Sequence, residues 1–178
     1  MKRCFSNPQM MTRIIPVCIF LIVCGIHWGA AEDISVTPSG DLTDWVLLPG
    51  ETNSDTTSIH LEVVADSAPW YVKVKDGLEN DKPESSVGYM VEWNGSQYVA
   101  TPHVLNTGLI IEGSDGPEYS NRTVSALSGS LQEILVGSSS GTFPSIAINF
   151  TQPITSSDAH LTNGNVYRIY ITFTGGFS

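Results

Sequence analysis

Apolar and polar residues alternate with a period of two along much of this chain. Ile59, Leu61, Val63 and Ala65 alternate with His60, Glu62 and Asp66, and Trp70, Val72 and Val74 with Tyr71, Lys73 and Lys75. The same pattern returns where Ile146, Ile148 and Phe150 alternate with Ser145, Ala147, Asn149 and Thr151, and where Tyr167, Ile169, Ile171 and Phe173 alternate with Arg168, Tyr170, Thr172 and Thr174. Successive side chains of a strand point to opposite faces, so this period predicts strands with one buried and one wet face. Shorter strands are predicted over 34–37, 45–48, 109–112 and 131–136. Gly, Pro, Asn, Asp and Ser separate nearly all of them, as turns require. The stretch 125–133 comes nearest to an amphipathic helix, and Gly129 weakens it. The core is expected from Leu61/Val63, Trp70/Val72/Val74, Ile146/Ile148/Phe150 and Ile169/Ile171/Phe173.

One hairpin has a specific signature. Asn94-Gly95 lies between 89–93 and 96–100, and this dipeptide favours a two-residue type I′ turn. That turn places Trp93 opposite Ser96, Val91 opposite Tyr98 and Tyr89 opposite Ala100. Tyr89, Val91, Trp93 and Tyr98 then share a face. About nine or ten short strands without a cysteine framework predict an all-β fold, an antiparallel β-sandwich forming a single domain over 32–178.

The first 31 residues read differently. Lys2, Arg3 and Arg13 precede an apolar run over 14–26, and Gly29, Ala30 and Ala31 follow it. A basic leader, an apolar stretch and a small-residue cleavage site predict a secretory signal peptide, removed near Glu32. The run falls short of the roughly 20 residues that span a bilayer. An uncleaved anchor is the alternative, and the only route by which a membrane enters this reading. Lipidation of Cys24 is disfavoured by Val23, which is not small. No second apolar stretch predicts a C-terminal anchor. All three cysteines (Cys4, Cys18, Cys24) lie inside the leader, so a disulfide scaffold is not expected.

Charge narrows the partners. All 18 acidic residues follow residue 31, against the cations Lys73, Lys75, Lys82, Arg122 and Arg168. Such a surface repels phosphate backbones and anionic membranes, which sets nucleic acid aside.

Several constellations carry candidate chemistry. Asn94-Gly95-Ser96, Asn121-Arg122-Thr123 and Asn149-Phe150-Thr151 are sequons, so Asn94, Asn121 and Asn149 are candidate glycosylation sites. Asn94 also reads as a plain turn residue. Tyr89, Trp93 and Tyr98 would form a flat stacking platform for carbohydrate, or alternatively part of the core. Asp76, Glu79, Asp81 and Glu84, with Asn80, form one acidic loop, and Glu112, Asp115 and Glu118 another. Calcium is the one cofactor they suggest, but neither has EF-hand spacing, and solvated acidic loops are the commoner outcome. His60, His103 and His160 lack zinc spacing, and no Gly-x-Ser-x-Gly elbow occurs. No catalytic residue is assigned, and the expectation is a protein that is not an enzyme.

Trp45, Leu47, Pro49 and Gly50, then Trp70 with Val72 and Val74, and finally Tyr167-Arg168-Ile169 with Thr172-Phe173-Thr174 resemble segments of small secreted archaeal cell-surface β-sandwich proteins of uncharacterised role. Trp45-Val46-Leu47 is similar to the Trp-x-Leu tripeptide of WxL-type wall-binding domains, although the usual second copy is missing. The chain also resembles filament subunits joined by donated strands. These resemblances imply an extracellular, cell-surface protein of structural or adhesive role, whose partners are other surface proteins or itself. A filament subunit assembled through 34–37 and a carbohydrate-binding module are the alternatives, although 34–37 is expected to close its own sheet rather than reach a neighbouring subunit.

Overall fold

The computed structural model describes residues 33–42, 45–77, 81–161 and 164–178. The signal segment and its cleavage site lie outside the described residues, as do Glu79 and Asn80. Eleven strands follow in order: β1 (Ile34–Gly40), β2 (Thr52–Ala65), β3 (Trp70–Asp76), β4 (Val91–Trp93), β5 (Ile110–Gly113), β6 (Tyr119–Asn121), β7 (Thr123–Val124), β8 (Gln132–Gly137), β9 (Gly141–Pro153), β10 (Val166–Arg168) and β11 (Ile171–Phe177). All pair antiparallel, in a sheet β1-β2-β9-β5-β7, a sheet β11-β3-β8-β6 and a small ribbon β10-β4. The fold is all-β, as the alternation predicts. No helix among the described residues is long and apolar enough to cross a membrane.

The two larger sheets share one core. Leu61, Val63, Ile146 and Ile148 of the first meet Trp70, Val72, Val74, Ile134 and Leu135 of the second, and each of these is buried. Trp70 and Phe143 join the sheets directly, with ring centroids 5.1 Å apart. The Trp70 indole N–H is also satisfied, donating to the Ser139 carbonyl at 2.8 Å.

Irregularities in the ladders have local causes. Between the pairs Leu61↔Ile146 and Val63↔Phe143, β9 carries one extra residue. Pro144, which has no N–H to donate, falls in that bulge. Between Asp55↔Phe150 and Ile59↔Ile148 the excess lies on β2. There the Asp55 carboxylate accepts the backbone N–H groups of Thr57 (3.2 Å) and Ser58 (2.9 Å) and the Ser58 hydroxyl (2.7 Å). A bulge in β8 opposite Val72/Lys73 lets both Ile134 and Leu135 be buried.

Three expectations need correction. Residues 45–48 form no strand; the Leu48 N–H instead donates to Asn53 Oδ1 at 2.8 Å. The strand expected over 167–174 divides, because β10 pairs with β4 whereas β11 pairs with β3. That break leaves Ile169 and Ile171 only half-buried at the edge of the core. The segment 34–37 lies in β1 and pairs with β2 of its own chain from Ile34↔Ala65 to Gly40↔Ile59, the intradomain pairing expected of it.

These pairings give the domain two unlike ends. Asp33 and Asp66 exchange hydrogen bonds, N–H to Oδ1 at 2.7 Å and N–H to carbonyl at 3.1 Å. The Ser178 N–H donates to the Pro69 carbonyl at 3.1 Å. The first and last described residues thus grip the same β2–β3 connection, which defines the near pole. The opposite ends of β3 and β11 meet at Asp76↔Ile171. With seven residues in β3, that far pole stands about 20 Å away. Among the described residues, Gly77, 81–109, 154–161 and 164–170 build it.

Candidate functional site at the far pole

β4 and β10 are three residues each and pair as Val166↔Trp93, Tyr167↔Glu92 and Arg168↔Val91. Their alternation sorts this end of the molecule into two faces. On one, Arg168 reaches its diagonal neighbour, and its guanidinium lies 4.1 Å from the Trp93 ring centroid. Trp93 in turn meets Tyr98 edge-on, at 5.1 Å and 76°. Tyr98 is buried, and its backbone N–H donates to Asp81 Oδ2 at 3.3 Å.

The other face is held by Glu92. Its two carboxylate oxygens accept the Asn165 side-chain amide (2.6 Å) and the His103 backbone N–H (3.1 Å). The Asn165 bond, followed by that of His103, holds the Glu92 carboxyl below the usual carboxylate range, with burial opposing. Asp158 is a second such anchor. Burial pushes its carboxyl up, but the combined hydrogen bonds of Asn106 and Thr155 outweigh this and hold it low. The donors are the Asn106 N–H (2.8 Å) and amide (2.7 Å) and the Thr155 N–H (2.6 Å) and hydroxyl (2.9 Å). Tyr167 lies between the two carboxylates. Burial raises its phenol above the ordinary value, and the charges of Asp158 and Glu92 raise it further. The phenol donates to the Ala159 carbonyl at 2.9 Å. Glu92 and Asp158 therefore stay ionised at neutral pH; Glu92 ties His103 and Asn165 to the ribbon, and Asp158 ties Asn106 to Thr155.

The sequons occupy different settings. Asn94 sits exposed at the tip of the β4 loop, where its Oδ1 accepts the Ser96 N–H (3.0 Å), the Ser96 hydroxyl (2.9 Å) and the Gln97 N–H (3.0 Å). This Asx turn lengthens the connection to four residues. Trp93 bridges to Tyr98, and the Asn94 N–H reaches the Gln97 carbonyl at 3.1 Å. The two-residue turn is thus replaced, and the register moves by two. Because the shift is even, Trp93 and Tyr98 still share a face. Asn149 is half-buried on β9 opposite Glu112. Asn121 lies on β6, and its amide donates to Glu112 Oε1 at 3.3 Å.

The flat platform expected from Tyr89, Trp93 and Tyr98 does not form. Tyr89 lies outside β4, in a turn where its N–H meets the Ser86 carbonyl at 3.0 Å, and the other two rings are nearly perpendicular. Of the acidic residues suggested for calcium, Asp76 is buried against Lys82, Asp81 and Glu84 are exposed, and Glu79 lies outside the described residues. Among the described residues no three His, Cys, Asp or Glu side chains converge as a metal site. In the second acidic loop, Glu112 accepts the Thr123 hydroxyl at 2.8 Å and Asp115 the Asn121 N–H at 2.8 Å.

Sequence reasoning missed the Glu92–Asn165 and Asn106–Asp158 braces, the Arg168–Trp93 stack and the Asp76–Lys82 pair. Only the odd placement of Lys82-Pro83 in an acidic loop hinted at any of them. No family model, curated protein or solved structure matches the chain.

Proposed function

We propose that this chain is a secreted cell-surface β-sandwich protein of structural or adhesive role, held at its near pole and presenting its far pole. The observation that supports this most is its polarity. The segment that follows the leader enters at Asp33, against the β2–β3 connection, while Trp93, Arg168 and the exposed sequon at Asn94 lie at the other end. A braced, partly aromatic surface that carries the Arg168 guanidinium suits recognition of another surface protein or a second copy. The acidic balance of the chain suits solubility outside the cell. Glycosylation at Asn94 would lie on the rim of this surface.

Envelope fractionation of the source cells, followed by pull-down with purified protein, tests the reading. Wild-type protein should be retained by envelope material. Trp93→Ala with Arg168→Ala should lose most of that retention, whereas Glu62→Ala, on the exposed side of β2, should keep it. Equal retention of all three would overturn the role assigned to the far pole. Filaments under the electron microscope would favour strand-joined assembly instead, and selective signals on a glycan array would favour a carbohydrate-binding module.

A further inference from the structure

The far pole contains an arrangement that its role in recognition does not use. Lys82 Nζ is in direct contact with Asp76 Oδ2, and both side chains are 0% exposed. The same oxygen accepts the Gly88 backbone N–H at 2.7 Å. The surroundings impose this geometry. Asp76 ends β3 two residues after the fully buried Val74, and its own N–H is fixed by the Ser128 carbonyl at 2.8 Å. Gly88 turns with φ +86°, and a Cβ there would lie 1.9 Å from the Leu127 carbonyl oxygen, so only glycine brings that N–H onto Asp76.

We propose that Asp76 and Lys82 join as an intramolecular amide, a covalent brace across the loop 77–81. A buried ion pair is costly to keep, and joining the two groups as a neutral amide removes that cost. In the step, one ammonium proton passes to Oδ2 across the contact, Nζ attacks Asp76 Cγ, and the C–N bond forms. The Gly88 N–H holds the oxygen that departs. The C–Oδ2 bond breaks, that oxygen leaves with two protons, both supplied by the original ammonium, and Oδ1 remains as the amide carbonyl. One water departs, nothing is oxidised or reduced, and no co-reactant is needed. Contact and burial supply the proximity that makes such a condensation feasible without an enzyme.

Mass spectrometry of protein expressed as the full chain tests this directly. A proteolytic peptide containing both Asp76 and Lys82 should be lighter than its sequence by one water and should give no backbone fragments from between the two residues. Lys82→Arg should restore the full mass. A full-mass wild-type peptide would overturn the proposal, and that result needs no variant to fold. An Asp-Gly step can also lose water by closing on its own backbone nitrogen. In this fold that nitrogen donates to the Tyr170 carbonyl at 2.8 Å. Hydroxylamine separates the two cases, because it opens a succinimide and leaves an amide intact. Water loss that hydroxylamine removes, or that survives in Lys82→Arg, would equally overturn the brace.

Discussion

Near the first pole the buried residues are apolar: Leu61, Val63, Trp70 and Val72 are each at most 1% exposed. Toward the far pole the interior changes character. Every buried polar or charged residue among the described ones lies at that end or on the strand ends that approach it: Asn53, Asp76, Lys82, Ser86, Glu92, Gln152 and Asp158. Apolar burial is non-directional and tolerates repacking. Buried polar groups depend on named partners, and removing one strands the other. The near half is thus a general solution to folding, and the far pole a specific one, with short strands held in place by side chains from distant loops.

The sharpest way to break this contrast is at the near pole. Trp70→Ala should cost about 3–5 kcal/mol in urea unfolding, since it removes the ring that joins the two sheets. A loss no larger than that from any far-pole change would mean the apolar half does not dominate stability. Next, Ile148→Ala should cost about 2–5 kcal/mol and Ile171→Ala less than half of that, because Ile148 is fully buried and Ile171 is not. Equal losses would place the edge of the core beyond β11.

At the far pole, Asp158→Asn should cost about 1–3 kcal/mol at neutral pH, through the charge-assisted hydrogen bonds it weakens. The pH dependence sharpens the point. The folded-state carboxyls of Asp158 and Glu92 are held below their ordinary values. Their contribution is complete above the ordinary carboxylate range and is lost as pH falls through the lowered values. Thermal melts from neutral to acid pH should therefore show a decline in the wild type that is shallower in Asp158→Asn. Parallel declines would mean that Asp158 does not contribute to it. The smallest effect belongs to Arg168→Ala, about 0.5–1 kcal/mol for the lost contact with Trp93. Denaturation followed by tryptophan fluorescence would detect it, and a cost above that of Asp158→Asn would invert the ranking of ring contact below carboxylate brace.

What sequence alone revealed divides along the same line. β2, β3 and β9 could be read from alternation, because each has one face in the core over several residues, whereas β11 was legible only in part, since Phe173 alone of its residues is buried. β4 and β10 could not be delimited, since three residues show too little of a period. The hairpin tip was recognised at Asn94-Gly95, but its length was not, because the Asn94 side chain makes a turn that competes with the two-residue one. The braces left no periodic trace at all. Glu92 and Asn165 are 73 residues apart, and Asn106 and Asp158 are 52 apart. Their meeting follows from strand order, which short-range patterns do not encode.

The grip of Asp33 on the β2–β3 connection has a mechanical consequence. β1 enters at the near pole and runs toward the far one, paired with β2 over seven residues. A pull on residue 33 against a load at the far pole acts along the strand axis, so all the rungs of that ladder are strained together in shear. Had the chain entered at the opposite end of β1, the same pull would open the rungs one at a time, like a zipper. Under flow or traction, this direction of entry lets a short edge strand resist far more force than its size suggests.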